Sequence, residues 1–196
     1  MELPLIVGIS GASGAIYGVR TLEILRQSGI PAHLIVSRSA LQTLSEETAM
    51  PVEKVRNLAA EVYPNSDLGA AVSSGSFKTR GMIVIPCSIR TLSDIAYGGT
   101  DSLVSRAADV TLKERRRLVL VVRETPLHAG HLRSMLAATE NGAIIMPPVP
   151  AFYHRPRTID DIVNQTVGRA LDLFDIDAGI VKRWRSGDAA GGETVE

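Results

Sequence analysis

The sequence predicts an α/β fold in three layers, a doubly wound parallel sheet between helices. Three observations predict it. Short runs rich in Val, Ile and Leu recur along the chain, helix-period stretches separate them, and the runs are continuously apolar instead of alternating. Continuous apolar strands belong to a parallel sheet covered on both faces, and right-handed crossovers put helices on each side. The expected strands are Leu5 to Ile9, Ala32 to Val36, Gly81 to Ile85, Arg117 to Val122 and Ala143 to Met146. Helical patterns cover roughly 14–28, 39–48, 89–97, 103–115, 128–140 and 158–174.

Composition bounds the rest. The 196 residues are one domain's worth, and 21 Lys and Arg balance 21 Asp and Glu, so no basic face for nucleic acid is expected. The longest apolar stretches are strand-length, too short to span a membrane. The N-terminus enters a strand at once, without a basic segment or cleavage site, and no signal peptide is expected. Cys87 is the single cysteine; it excludes an internal disulfide and a thiolate zinc cluster, and it fits a reducing cytoplasm. Residues 186–196 read as a disordered tail.

The first strand runs into Gly8-Ile9-Ser10-Gly11-Ala12-Ser13-Gly14-Ala15, where glycines let backbone approach a ligand and the next helix offers its amides to an anion. The spacing is Gly-x-x-Gly-x-x-Gly, which is not the dinucleotide fingerprint, and the second strand ends Val36-Ser37 without the carboxylate that a ribose of NAD requires. A mononucleotide such as FMN suits Ser37. A hydrolase elbow fails on its last glycine, which is Ala15 here, and such elbows normally follow a later strand.

Region 60–80 is less regular, and Ser73 to Phe77 reads as a loop. The strand from Gly81 leads to Pro86-Cys87-Ser88-Ile89-Arg90-Thr91, with two hydroxyls three apart at a helix start, where hydroxyls and free amides reach a phosphate. Cys87 reads as a buried, inert thiol. On the next helix, Arg106, Asp109 and Lys113 share a face, while Glu114 to Arg117 read as a salt-bridged strip. The strand Arg117 to Val122 ends in Arg123-Glu124-Thr125-Pro126, which aims a cation and a proton-moving carboxylate at the carboxyl edge where such sheets bind ligands. His128 and His131 fall in a helix start and need no catalytic role. With Tyr153 beyond the last strand and Arg169 on the last helix, Arg106, Lys113 and Arg123 complete a donor set able to hold a phosphate without metal. No Asp/His cluster suggests Mg²⁺.

Taken in series, these segments resemble the flavin prenyltransferases of the UbiX type, once described as small aromatic-acid decarboxylases. The matching pieces are Ser-Gly-Ala-Ser-Gly-Ala at 10–15, Ser37, Pro-Cys-Ser-x-x-Thr-Leu at 86–92, Arg-Ala-Ala-Asp-Val-x-Leu-Lys-Glu-Arg at 106–115, Leu-Val-x-Val-x-Arg-Glu-Thr-Pro at 118–126 and Phe-Tyr-His-x-Pro at 152–156. The resemblance implies a flavodoxin-like, Rossmann-like flavoprotein domain over 1–185. It implies binding of reduced FMN, as prenyl acceptor, between the subunits of a homo-oligomer, often a dodecamer. It places FMN against Gly11, Ala12, Ser13, Ser37, Ser88, Ile89, Arg90, Thr91 and Arg123, with Arg106 bordering both ligands. It places dimethylallyl phosphate near Lys113, Glu124, Tyr153 and Arg169, under Trp184. It casts Glu124 as acid/base with Ser13 in the relay, Lys113 among the cations that stabilise the leaving phosphate, and a UbiD-type decarboxylase as user of the product. Ile89-Arg90 departs from the Met-Lys, Met-Asn or Thr-Gly common among relatives. Two other readings stay open: a related FMN-binding cysteine decarboxylase, and a non-catalytic FMN carrier or accessory subunit.

Overall fold

A computed structural model describes residues 2–184. In chain order its elements are β1 (Leu5–Ile9), α1 (Ala15–Gln27), β2 (Ala32–Val36), α2 (Arg38–Glu47), α3 (Val52–Arg56), β3 (Glu61–Pro64), a 3-10 turn (Ala71–Ser73), β4 (Gly81–Cys87), α4 (Ile89–Ala96), α5 (Leu103–Lys113), β5 (Arg117–Val122), α6 (Ala129–Glu140), β6 (Ile144–Ile145) and α7 (Ile159–Asp172). The tail expected over 186–196 lies outside the described residues.

The strands form one sheet in the order β3-β2-β1-β4-β5-β6, parallel throughout. The five strands legible in the sequence make the flavodoxin-like half of that order, and β3 extends it to the full doubly wound order. β3 corrects the expectation of an irregular 60–80 region. Glu61 and Pro64 are exposed and the strand is polar, so it lacks the apolar run that marked the others. Pro64, which has no N–H to give, is tolerated because this is an edge strand. β4 runs two residues past the expected end at Ile85, to Cys87, while the last strand contracts from 143–146 to two residues.

The layers follow from strand alternation. Leu5, Val7, Ile9, Ile83, Ile85, Val119 and Val121 pack with buried residues of α1, α2, α3 and α7. Ile6, Met82, Val84, Leu118, Leu120 and Val122 pack on the opposite face against α4, α5 and α6. Burying each such Leu or Ile is worth about 1.5–3 kcal/mol, so the sheet anchors the fold. Several helices start on a hydroxyl cap: Ser37 for α2 and Ser88 for α4, both at strand exits, and Thr158, in a capping box with Asp161, for α7. α1, like α3, starts without a side-chain cap of this kind. Gly14, at φ 100°, precedes it with no side chain to cap it. No helix among the described residues is long and apolar enough to cross a membrane.

Candidate active site

Chain leaves the sheet in opposite directions from β1 and β4, which are neighbours, and the crevice between their carboxyl ends is where such folds bind ligands. Ser10 closes the floor of this crevice. Its buried Oγ donates to the Pro86 carbonyl at 3.0 Å and accepts from the Ser88 amide at 2.7 Å. The Ser37 amide donates to the Ile9 carbonyl at 2.9 Å and the Arg123 amide to the Cys87 carbonyl at 3.1 Å. The exits of β1, β2, β4 and β5 are thereby fixed to one rim, which carries Gly11, Ala12, Ser13, Ser37, Ser88, Ile89, Arg90, Thr91, Arg123 and Glu124.

Several donors remain available on that rim. Ser37 Oγ accepts from the Ala40 amide at 3.1 Å and lies 3.2 Å from Ser39 Oγ. Ser88 Oγ accepts from the Thr91 amide at 3.3 Å and donates to Thr91 Oγ1 at 3.1 Å. Capping therefore occupies both serine hydroxyls, but the amides of Ile89 and Arg90 in the first turn of α4 have no intrahelical acceptor. The Arg90 side chain turns to Asp94, at 3.1 Å, so this position offers the rim its backbone. Arg123 is exposed and forms no ion pair among the described residues. Glu124 is exposed too, its Oε1 accepting from the Thr125 amide at 3.0 Å. This donor set, amides, hydroxyls and a guanidinium in no ion pair among the described residues, fits the phosphate of a mononucleotide such as FMN.

Glu47 is the residue that sequence reasoning missed. Its Oε2 accepts from the Gly14 and Ala15 amides at 2.8 and 2.9 Å, supplying the uncapped start of α1 with a carboxylate. Burial alone would raise its pKa, but hydrogen bonds from the Ser13 side chain and the Ala15 and Gly14 amides, with the charge of Arg123, bring it below the usual carboxylate value. The Ser13 hydroxyl thus adds to the donors gathered on this carboxylate. A capless helix start announces that some acceptor must arrive, yet nothing local identifies a residue 33 positions on. Cys87 is fully buried, and burial pushes its thiol far above the ordinary range, so it is no nucleophile. His128 caps α6 through Nδ1, as its place at a helix start implied. No group of three His, Cys, Asp or Glu able to hold a metal occurs among the described residues.

Tyr153, Arg169 and Trp184 form a second group, on the outer side of α7. With Val181 and Arg183 they line a cavity of about 420 Å³. The Tyr153 and Trp184 rings meet edge-on, 5.5 Å between centroids. Asp172 gathers the arginines: its Oδ2 lies 2.7 Å from Arg169 Nη1, and its two oxygens take Arg183 in a fork at 2.9 Å each. The Arg183 hydrogen bonds first, with Arg169 adding to them against the effect of burial, hold the Asp172 carboxyl below its ordinary value. Gln165 ties this group to the chain's C-terminal strap, residues 176–184.

Two further candidates lie on α5, at its opposite ends. Arg106 pairs with Asp109 at 3.1 Å, as their spacing implied. Lys113 does not join that strip; α5 ends there, and its Nζ meets Glu114 at 2.6 Å. α5 starts beside Asn65, just beyond the carboxyl end of β3, and ends near Arg117, the first residue of β5. Lys113 therefore sits at the amino edge of the sheet, across the molecule from the crevice. Among the described residues, no hydrogen bond or ion pair connects the crevice with Lys113 or with the Tyr153 group.

The family model described as Flavoprotein matches residues 1–171. A flavin prenyltransferase UbiX from Escherichia coli is 61% identical over 173 residues, 88% of this chain and 92% of the relative. A crystal structure of AnUbiX in complex with FMN and dimethylallyl pyrophosphate superposes with a TM-score of 0.94 at 49% identity, covering 96% of this chain and all of that one. A dodecameric FMN-dependent UbiX-like decarboxylase from Escherichia coli superposes at 0.92 with 48% identity, covering 94% of this chain and all of that one.

Proposed function

Because this chain belongs to the flavoprotein family, and within it to the flavin prenyltransferases of the UbiX type, we propose that its crevice holds reduced FMN while Tyr153 and Arg169 bind the dimethylallyl phosphate whose prenyl group is transferred to it. The observation that carries this reading is the rim itself: Ser10 and three backbone bonds converge the exits of four strands into one anion-binding edge with Glu124 upon it.

Reduced FMN supplies the nucleophilic N5 atom and the C6 atom to which the prenyl chain closes. The protein supplies the rest. Gly11, Ala12, Ser37, the backbone from Ser88 to Thr91 and Arg123 hold the flavin. Arg169, Lys113 and Arg106 take up negative charge as the phosphate departs, usually the largest electrostatic contribution to such a step. Glu124 moves the proton released at ring closure, with Ser13, oriented by Glu47, in the relay. Trp184 covers the prenyl group.

One chain cannot do this alone, since its crevice, its Lys113 and its Tyr153 group lie apart. A second copy supplies what the first lacks, in a homo-oligomer for which the dodecamer of the Escherichia coli relative is the pattern. We place the protein in the cytoplasm, in keeping with its one unpaired thiol, and its prenylated product with a UbiD-type decarboxylase. Mass spectrometry of the flavin after anaerobic incubation with reduced FMN and dimethylallyl phosphate tests the reading. A gain of one five-carbon unit is expected. Bound but unmodified FMN, with the pyrophosphate donor as well, would replace it with an FMN carrier.

A further inference from the structure

We propose that Gln165 is a positioning residue that fixes the direction of the Tyr153 hydroxyl hydrogen, so that the phenol is presented to the cavity as a donor. The inference rests on the reading of that cavity as the prenyl-phosphate site. Gln165 is 3% exposed, at the middle of α7, and makes three hydrogen bonds. Its Oε1 accepts from the Lys182 amide at 3.0 Å. A backbone N–H can only donate, so the side-chain amide has one permitted orientation, with Nε2 toward the Lys182 carbonyl at 3.2 Å and the Tyr153 oxygen at 2.9 Å. An amide nitrogen can only donate in turn, so the phenol oxygen is an acceptor in this bond. Its single hydrogen is left over, and no acceptor for it lies within bonding distance among the described residues. The ring that carries it lines the cavity with Arg169 and Arg183. An anion bound there receives a hydroxyl hydrogen that the described residues leave uncommitted.

Gln165 does not line the cavity; it acts through Tyr153, and a double-mutant cycle separates that action from a general loosening of α7. Inorganic phosphate and dimethylallyl phosphate are titrated into the full-length chain, read through the emission of its single tryptophan, Trp184. Gln165→Met, apolar and of similar volume, should weaken phosphate binding roughly fivefold, the effect of a hydrogen bond no longer fixed in direction, with FMN affinity unchanged. Tyr153→Phe should weaken it about tenfold or more. In the Tyr153→Phe background, Gln165→Met should have no further effect. Gln165→Glu should cost more than Gln165→Met, because a carboxylate takes the phenol hydrogen for itself. If Gln165→Met does not fold, Gln165→Glu carries the cycle, its loss being smaller in the Tyr153→Phe background. Wild-type affinity in the Gln165 variants, or a loss that persists in full without the phenol, overturns the positioning role. A wild-type chain that binds neither phosphate fails earlier, and overturns the reading of the cavity as well.

Discussion

Gly168→Ala is a one-methyl test of how the strap is held. A Cβ at Gly168 would lie 2.4 Å from Val181 Cγ2 and 3.1 Å from Ile180 Cγ1. Carbon atoms rest about 3.5–4.0 Å apart, so the strap must withdraw by roughly 1 Å. The bonds from Gln165 to Lys182, at 3.0 and 3.2 Å, would then pass beyond useful length. Their loss costs about 0.5–1.5 kcal/mol each, and the overpacking about 1–3 kcal/mol more. Docking of the strap is thus weakened by roughly 2–6 kcal/mol. α7 itself gains, since alanine is better than glycine in a helix interior by about 1 kcal/mol. The loss exceeds the helix gain. Trp184 emission should shift to the red, the Lys182 amide should exchange faster, and Tm should fall. Native emission together with slow Lys182 exchange would refute the close approach of strap and helix.

Four other outcomes follow from the geometry. Glu124→Gln should keep FMN binding and lose most prenylation, measured as prenylated flavin per turnover; full activity would end the acid/base assignment. Ser10→Ala leaves the Ser88 amide and one partner of the Pro86 carbonyl unmatched in a buried place, a cost of about 2 kcal/mol by denaturant unfolding, with weaker FMN binding. Glu47→Ala removes the carboxylate that accepts from the Gly14 and Ala15 amides and should cost about 1 kcal/mol near neutral pH. Because the folded-state pKa of Glu47 is depressed, that contribution is present above its unfolded value and fades as pH falls through the folded one, so the two unfolding curves should converge in acid. His33, which meets the Tyr63 hydroxyl at 3.0 Å, has its pKa lowered by burial against the opposing pull of Glu61. The unfolded chain therefore binds the proton more readily, stability should decline as pH drops below about 6.5, and His33→Phe should flatten that decline.

What was legible in the sequence was whatever local pattern encodes. Apolar runs such as Leu118 to Val122 are strands because both faces are covered, and the rim residues were found because each sits immediately after such a run. β3 was hidden, since Glu61 and Tyr63 at an exposed edge carry no apolar signal. Glu47 and Gln165 were hidden for a different reason. Each acts on residues brought close only by tertiary packing, and each lies in an ordinary helical pattern. Spacing on α5 correctly paired Arg106 with Asp109, but it could not reveal that Lys113 is the last residue of its helix, where Glu114 takes its charge. Lys113, read from the chain as part of one donor set, ends its helix at the amino edge of the sheet, opposite the rim. Sequence order carries no information about which copy of a subunit a residue serves.

The edges of the sheet constrain how copies meet. β6 contributes two residues, and β3, four residues long, ends in a proline with no N–H to offer. Neither margin presents a ladder on which a neighbouring strand could zip, a familiar protection against uncontrolled fibril-like growth. The assembly that the proposed function calls for would therefore run through side chains, on surfaces such as exposed Leu132 and Leu136 of α6 and the loop bearing Val149 and Phe152. Contacts of that kind lock at one angle and one register. The proposed function, which divides the reaction centre between copies, depends on that angular definition, and blunt sheet margins deny it any sliding alternative.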